Sequence, residues 1–208
     1  VGEPFTLSSS SPAVATVDNT GVAIAVSNGT TTITATASNG VSATSIVTVQ
    51  QQTTAVTVTP VAATASSFGD TLVFRAQAVD ARGSQVAGAT FSWQFVGAEA
   101  VIGSLLAAGD SVAFIAQSNG ADGIRATSDG ISATAVDVVV SQTPASVAIA
   151  PDSVHFTSIG DGATYRGSVS DARGNAVMGA SYAWTLAGTS VQFNGVTNAD
   201  TAQVTTVG

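Results

Sequence analysis

Apolar and polar residues alternate with a period of two through most of this chain. The clearest example is residues 71–79, where one face carries Leu72, Phe74, Ala76 and Ala78. Successive side chains of a β-strand point to opposite faces, so this alternation predicts a half-buried antiparallel strand. No segment shows the 3.6-residue periodicity of an amphipathic helix. The pattern therefore predicts an all-β protein.

Turn residues divide the middle of the chain into short strands. The turns are predicted at Gly69-Asp70, Gly109-Asp110, Asn119-Gly120 and Asp129-Gly130. The last pair is a strong signal for a two-residue hairpin. Strands are predicted near residues 55–60, 71–79, 91–95, 100–105, 111–117, 123–128 and 131–141. Seven short strands around one tryptophan in roughly 90 residues are typical of an immunoglobulin-like sandwich.

The segment from Val79 to Phe95 recurs 91 residues later in the chain. Its six matching positions are Asp80, Arg82, Gly83, Val86, Gly88 and Trp93, which correspond to Asp171, Arg173, Gly174, Val177, Gly179 and Trp184. Matches at one fixed offset indicate a tandem repeat.

The repeat divides the chain into three parts. Residues 52–142 are predicted to form a complete domain, residues 1–51 the second half of another, and residues 143–208 the first half of a third. The fold prediction is therefore a tandem array of immunoglobulin-like antiparallel β-sandwiches, one complete and two partial. Two explanations of the half-domains stay open. Either molecules complete one another by head-to-tail strand exchange into a fibre, or these residues are part of a longer repeat protein.

The same alternation predicts the aromatic core of the sandwiches. The predicted core residues are Phe74, Phe91, Trp93, Tyr165, Tyr182 and Trp184. The two tryptophans are also candidates for stacking on sugars. Because each lies between aromatic or apolar neighbours two residues away, a core position is favoured.

Composition and charge exclude several classes of function. Only 9% of the residues are charged, lysine and cysteine are absent, and the net charge is −8. Nucleic-acid binding and attraction to an anionic membrane both depend on basic residues. Disulfides and thiolate metal sites are excluded by the absence of cysteine. No apolar run approaches the roughly 18 residues of a membrane-spanning helix.

Two motifs resemble known repeats. The sequence Asp-Ala-Arg-Gly followed by an aromatic-x-Trp, at Asp80 and again at Asp171, resembles the bacterial Ig-like repeats of invasin- and intimin-type surface proteins. Residues 12–21 and 29–36 are similar to a related bacterial Ig-like repeat. The resemblance implies a non-enzymatic extracellular repeat at the bacterial cell surface, acting as a spacer or stalk. A glycan- or receptor-binding module and an appendage of a secreted hydrolase are the alternatives.

Candidate chemistry is sparse. The single histidine, His155, has no second histidine or cysteine to form a metal site or catalytic triad with, so neither catalysis nor a cofactor is predicted. Most acidic residues lie at turns, where capping by the side chain is the simplest interpretation. The alternative is calcium held near the linkers by Asp80, Asp122 and Asp171. The predicted partners are neighbouring repeats or copies of the same chain, and a surface glycan or receptor in the binding-module alternative.

Overall fold

A computed structural model describes residues 5–97, 101–194 and 200–207 of the chain. Strands are its only regular elements within these ranges, and none of the described residues forms a helix long and apolar enough to cross a membrane. The strands are β1 (Phe5–Ser9), β2 (Ala15–Val17), β3 (Ala23–Ala25), β4 (Gly29–Ala37), β5 (Ser42–Val49), β6 (Ala55–Thr59), β7 (Ala62–Ala65), β8 (Thr71–Val79), β9 (Ser92–Phe95), β10 (Gly103–Ala108), β11 (Ser111–Ala116), β12 (Gly120–Ser128), β13 (Ile131–Ser132), β14 (Val136–Val140), β15 (Ser146–Ala150), β16 (Gly162–Ser170), β17 (Val191–Phe193) and β18 (Thr201–Thr206).

Contacts group the chain into two compact units. The first contains the residues up to Val58 together with Ala76–Ser92 and Ala126–Thr134. The second contains Thr59–Arg75, Trp93–Arg125 and the residues from Ala135 onward.

In the first unit, β1, β4 and β5 form a three-stranded antiparallel sheet, and β2 and β3 form a separate hairpin. Threonine and other β-branched residues dominate β4, as a pleated and half-buried surface favours. The buried Thr31 hydroxyl lies 2.9 Å from the Ser9 hydroxyl and accepts the Ser11 backbone N–H at 2.9 Å. These bonds fix the chain where it leaves β1.

Residues 52–142, which we call the middle repeat, contribute two sheets, with strand orders β10-β11-β8-β6 and β13-β12-β14-β7, and β9 pairs with β12. In the second unit, Phe95 of β9 meets Phe114 of β11 edge-on, with ring centroids 6.2 Å apart. The fully buried side chains around them include Phe74, Ile102, Val112, Ile124 and Val138. This apolar layer between two sheets is the core of an immunoglobulin-like β-sandwich, as predicted.

Three details of the middle repeat differ from the predicted strands. The segment predicted as one strand at residues 131–141 is divided into β13 and β14, and the strand predicted near residues 100–105 begins at Gly103. The pair β7–β14 is parallel, although every other registered pair is antiparallel. The hairpin at Asp129-Gly130 forms as predicted, with both residues at positive φ and Ser128 opposite Ile131.

The C-terminal sheet has the order β15-β16-β18-β17, which reproduces β6-β8-β11-β10 of the middle repeat. The repeat places Trp184 where Trp93 lies in β9, but the residues around Trp184 do not form a strand. Its counterpart β9 is a strand through its pairing with β12, and the described residues after Trp184 supply no equivalent of β12. Instead, the Tyr182 ring stacks on the Trp184 ring, with ring centroids 6.4 Å apart. The Tyr182 ring also packs against Gly167, where an added Cβ would overlap it.

Candidate functional site

The linker after the middle repeat is held by the side chain and the backbone of one glutamine, Gln142. Its backbone N–H donates to Asn119 Oδ1 at 2.8 Å. Its Nε2 donates to Asp171 Oδ2 at 3.0 Å and to the carbonyl oxygen of Ala176 at 3.3 Å. Gln142 therefore ties a loop of the repeat before it to a turn of the repeat after it. We call Asn119, Gln142 and Asp171 the second clasp.

The same arrangement occurs 91 residues earlier, at Gln51. The Gln51 backbone N–H donates to Asn28 Oδ1 at 2.6 Å, and its Nε2 donates to Asp80 Oδ2 at 3.1 Å and to the carbonyl oxygen of Gln85 at 3.1 Å. Its Oε1 also accepts the Ala87 N–H at 3.3 Å. Asn28, Gln51 and Asp80 form the first clasp. The prediction that Asp80 and Asp171 lie beside the two linkers is confirmed.

Asp171 is the centre of the second clasp, and its side chain is buried within a shell of donors. Oδ1 accepts the backbone N–H groups of Arg173 and Asn175, both at 2.9 Å, and this closes the turn as the capping interpretation predicts. Oδ2 accepts the N–H of Phe68 at 3.1 Å. Asp171 thus binds its own turn, the linker and the preceding repeat at once.

Two further contacts hold the turn that contains Phe68. Asn175 Nδ2 donates to the Phe68 carbonyl oxygen at 2.9 Å, so both polar groups of this residue's backbone are bound by the next repeat. Arg173 Nε donates to Asp70 Oδ1 at 2.8 Å. This pair is partly exposed to solvent and contributes less than the buried contacts.

The donors of each clasp also set the ionisation of its carboxylate. Burial opposes the charged form of Asp171, but hydrogen bonds from Gln142, Asn175 and Phe68 outweigh it and hold its pKa well below the usual range. The Gln51 side chain, with the Ser84 N–H, lowers the pKa of Asp80. The Arg173 side chain lowers the pKa of Asp70. All three groups therefore act as ionised acceptors at neutral pH.

Acid should weaken the second clasp. A carboxyl whose pKa is depressed in the folded protein stabilises it above the unfolded-state pKa, near 4 for aspartate, and this stability is lost as pH falls. We expect the urea midpoint of the transition reported by Trp184, in a Trp93→Phe background, to fall from about pH 4 toward pH 2. In Asp171→Asn the midpoint should depend less on pH over this range. Parallel pH profiles for the two proteins would contradict this role of Asp171.

The three calcium candidates do not share one environment. Asp122 lies in β12, where Oδ1 accepts the N–H groups of Gly97 and Gly123, both at 2.6 Å. Asp80 and Asp171 belong to different clasps, and N–H donors surround their oxygens. Within the described part of the chain, no group of three or more His, Cys, Asp or Glu side chains is arranged to hold a metal. Calcium binding at these positions stays a prediction.

The predicted aromatic core residues differ in burial. Phe74 is fully buried, whereas the other five are half-buried: Phe91, Trp93, Tyr165, Tyr182 and Trp184. The indole nitrogens of both tryptophans are buried and have no hydrogen-bond partner among the described residues.

Sequence reasoning did not identify Asn28, Gln51 and their counterparts Asn119 and Gln142 as linker contacts. The sequence does contain an indication of their role, because Asn28 and Asn119, like Gln51 and Gln142, are 91 residues apart. A polar residue repeated at a linker is a stronger indication than one repeated inside a strand, since loops lack the packing that otherwise explains it.

The family model of the bacterial Ig-like domain (group 2) matches residues 3–49 of the chain. The match confirms the predicted resemblance to bacterial Ig-like repeats for this segment. No curated protein matches the chain.

Among solved structures, the chain is similar to invasin, described as a bacterial integrin-binding protein, with 17% identity, a TM-score of 0.51, and coverage of 100% of this chain and 47% of that one. It is also similar to the Escherichia coli adhesin FdeC, with 17% identity, a TM-score of 0.45, and coverage of 98% and 76%. Domains 1–6 of the surface layer protein SbsC match with 17% identity, a TM-score of 0.41, and coverage of 98% and 28%. The chain thus spans less than a third of the SbsC chain and about half of the invasin chain. At these identities the invasin match supports the fold alone.

Proposed function

We propose that this chain is a non-enzymatic repeat segment of an extracellular bacterial surface protein, a spacer whose linkers are held by the two clasps. The observation that carries the proposal is the recurrence of the same asparagine–glutamine–aspartate arrangement at both linkers. A spacer has to transmit force and orientation from one repeat to the next. The clasps are placed where this transmission occurs.

The clasp limits motion at a point where motion is otherwise expected. Neighbouring domains joined by short linkers move relative to each other unless their interface is extensive. At the second linker, four hydrogen bonds join the C-terminal repeat to the linker or to the middle repeat. The Phe68 N–H and Gln142 Nε2 donate to Asp171. Asn175 Nδ2 donates to the Phe68 carbonyl oxygen, and Arg173 Nε donates to Asp70. Hydrogen bonds to an ionised group are stronger than neutral ones. The linker is therefore restrained by two bonds to one ionised carboxylate and by two further bonds beside it.

Gln142→Ala should loosen the second linker without unfolding either neighbour. The substitution removes the two bonds from Nε2 but leaves the backbone N–H that reaches Asn119. We expect a broader distribution of distances between fluorophores placed on the middle and C-terminal repeats, measured by single-molecule energy transfer. The matched control is Gln77→Ala, an exposed glutamine of β8. An unchanged distribution in Gln142→Ala would contradict the proposed role of the clasp.

A glycan- or receptor-binding module is the second candidate, and a secreted hydrolase's appendage is the third. Invasin, which has a similar fold, is an integrin-binding protein, and this supports receptor binding as a candidate function for a surface repeat. A glycan array separates the classes: a specific signal from this chain would favour a binding module, and silence would favour the spacer.

A further inference from the structure

The strands β7 and β14 form a parallel pair at the edge of their sheet. On its other side β14 pairs with β12, whereas β14 is the only strand in the described part of the chain that pairs with β7. In this pair Ala62 lies opposite Asp137, and Ala65 lies opposite Val140. The attachment of β7 to its sheet therefore depends on this one ladder.

The ladder continues beyond the ends of the two strands. The Ser141 N–H donates to the Ala65 carbonyl oxygen at 3.0 Å, and the Thr143 N–H donates to the Ser66 carbonyl oxygen at 2.9 Å. Ser141 and Thr143 follow β14 and lead into the linker. The linker thus takes part in the ladder at the end where the chain leaves the middle repeat.

The chain enters this pair at one end and leaves it at the other. It reaches β7 from β6 through Val61, beside the position where Ala62 lies opposite Asp137. It leaves β14 after Val140, at the opposite end of the pair. Tension along the chain therefore pulls β7 and β14 in opposite directions along their length. A ladder pulled in this way shares the load among its hydrogen bonds, because the strands have to slide past each other as a whole.

The carboxylate of Asp171 joins the two segments that follow these strands. Phe68 lies in the turn after β7, and Gln142 lies in the linker after β14. Asp171 Oδ2 accepts the Phe68 N–H at 3.1 Å and Gln142 Nε2 at 3.0 Å. Asp171 is buried, and hydrogen bonds to an ionised group are stronger than bonds between neutral groups. The C-terminal repeat therefore connects the two segments at the end of the ladder where the chain leaves.

We propose that the pair β7–β14 is a mechanical clamp loaded in shear, and that Asp171 of the C-terminal repeat locks it. Before β7 and β14 can slide apart, Phe68 and Gln142 have to separate, and this breaks at least one of their bonds to Asp171. The middle repeat therefore resists stretching more strongly while the C-terminal repeat is folded. The inference rests on the proposed spacer function, because a spacer is the part of a surface protein that carries tension.

Optical-tweezers measurements on the full chain can compare two directions of pulling. The chain has no cysteine, so two introduced thiols define where the handles attach. Val61→Cys with Ala145→Cys loads the ladder from opposite ends, and we call this the shear direction. Val61→Cys with Thr134→Cys loads it from one end, because Thr134 precedes β14, and we call this the peeling direction. All three side chains are exposed, and in both directions the C-terminal repeat lies outside the loaded segment.

The unfolding force of the middle repeat is expected to be several-fold lower in the peeling direction. In that direction the hydrogen bonds of the ladder break one after another, whereas in the shear direction they bear the load together. Equal unfolding forces in the two directions would overturn the proposal, since the same bonds are present in both.

Asp171→Ala tests the lock at constant force. In the shear direction the middle repeat should unfold about tenfold faster, because bonds to a buried charged acceptor are lost. In the peeling direction the rate should change little, since separation of Phe68 from Gln142 is not the first step. Gln142→Ala removes one of the two bonds and should give a smaller acceleration in the shear direction. The control is Asp152→Ala, at an exposed acid of the same repeat.

An effect of Asp171→Ala that is equal in both directions, or absent from both, would overturn the lock. Failure of this inference is distinguishable from failure of the spacer role. An unchanged unfolding rate in Asp171→Ala, together with a broader distance distribution in Gln142→Ala, would refute the lock and leave the restraint of the linker intact.

Discussion

Phe114→Ala is expected to destabilise the middle repeat by about 3–5 kcal/mol. The ring is fully buried in the second unit, contacts Phe95 edge-on and lies against Gly103, where an added Cβ would overlap the ring. Truncation therefore leaves a cavity that the neighbouring strands cannot fill without shifting their backbone.

The measurement is urea unfolding followed by Trp93 fluorescence in a Trp184→Phe background. Leu106→Ala is the matched control, since Leu106 lies on the adjacent strand β10 and is 67% exposed. It should cost less than about 0.5 kcal/mol, as surface substitutions usually do. Equal effects of the two substitutions would contradict the assignment of Phe114 to the core.

Asp171→Ala is expected to uncouple the C-terminal repeat from the middle repeat. Asp171 is 3% exposed and its carboxylate accepts bonds from Phe68, Gln142, Arg173 and Asn175, so its removal leaves several buried donors without a partner. The amide of Phe68 should exchange with solvent at least about tenfold faster, because its bond to a charged acceptor is lost.

Hydrogen exchange measured by NMR at Phe68 and at core amides of β11 checks this expectation. Exchange in β11 should stay slow, because its bonds to β8 and β10 do not involve Asp171. Asp152→Ala, at an exposed acid of the same repeat, is the control. Asp171→Asn should give an intermediate rate, since its amide oxygen still accepts one of the bonds. Unchanged exchange of Phe68 in Asp171→Ala would show that the clasp does not hold the turn.

Several features of this protein follow from local sequence alone. The alternation in residues 71–79 predicts both the strand β8 and its buried face, because the side-chain period of a strand is fixed by backbone geometry. Asp129-Gly130 predicts its hairpin because these residues tolerate positive φ. The repeat offset also places Asp80 and Asp171 in equivalent turns beside the linkers.

The contacts that form the clasps could not be predicted from the sequence and are seen only in the tertiary structure. The sequence predicts that Asp171 caps a turn, but its bond to Phe68 joins positions 103 residues apart. No local pattern indicates which distant backbone group a carboxylate will bind. The sequence around Gln142 gives even less indication of its hydrogen-bond partners, because a glutamine in a linker has no preferred partner until the flanking repeats have folded.

Trp93 and Trp184 show most clearly where prediction from sequence ends. They occupy the same place in one repeated sequence, and the alternation around each predicts a strand. The alternation within each segment is enough to predict which side chains face a core. Whether the segment forms a strand depends on a neighbour that hydrogen-bonds to it: β12 pairs with β9, which contains Trp93, whereas none of the described strands pairs with the segment around Trp184.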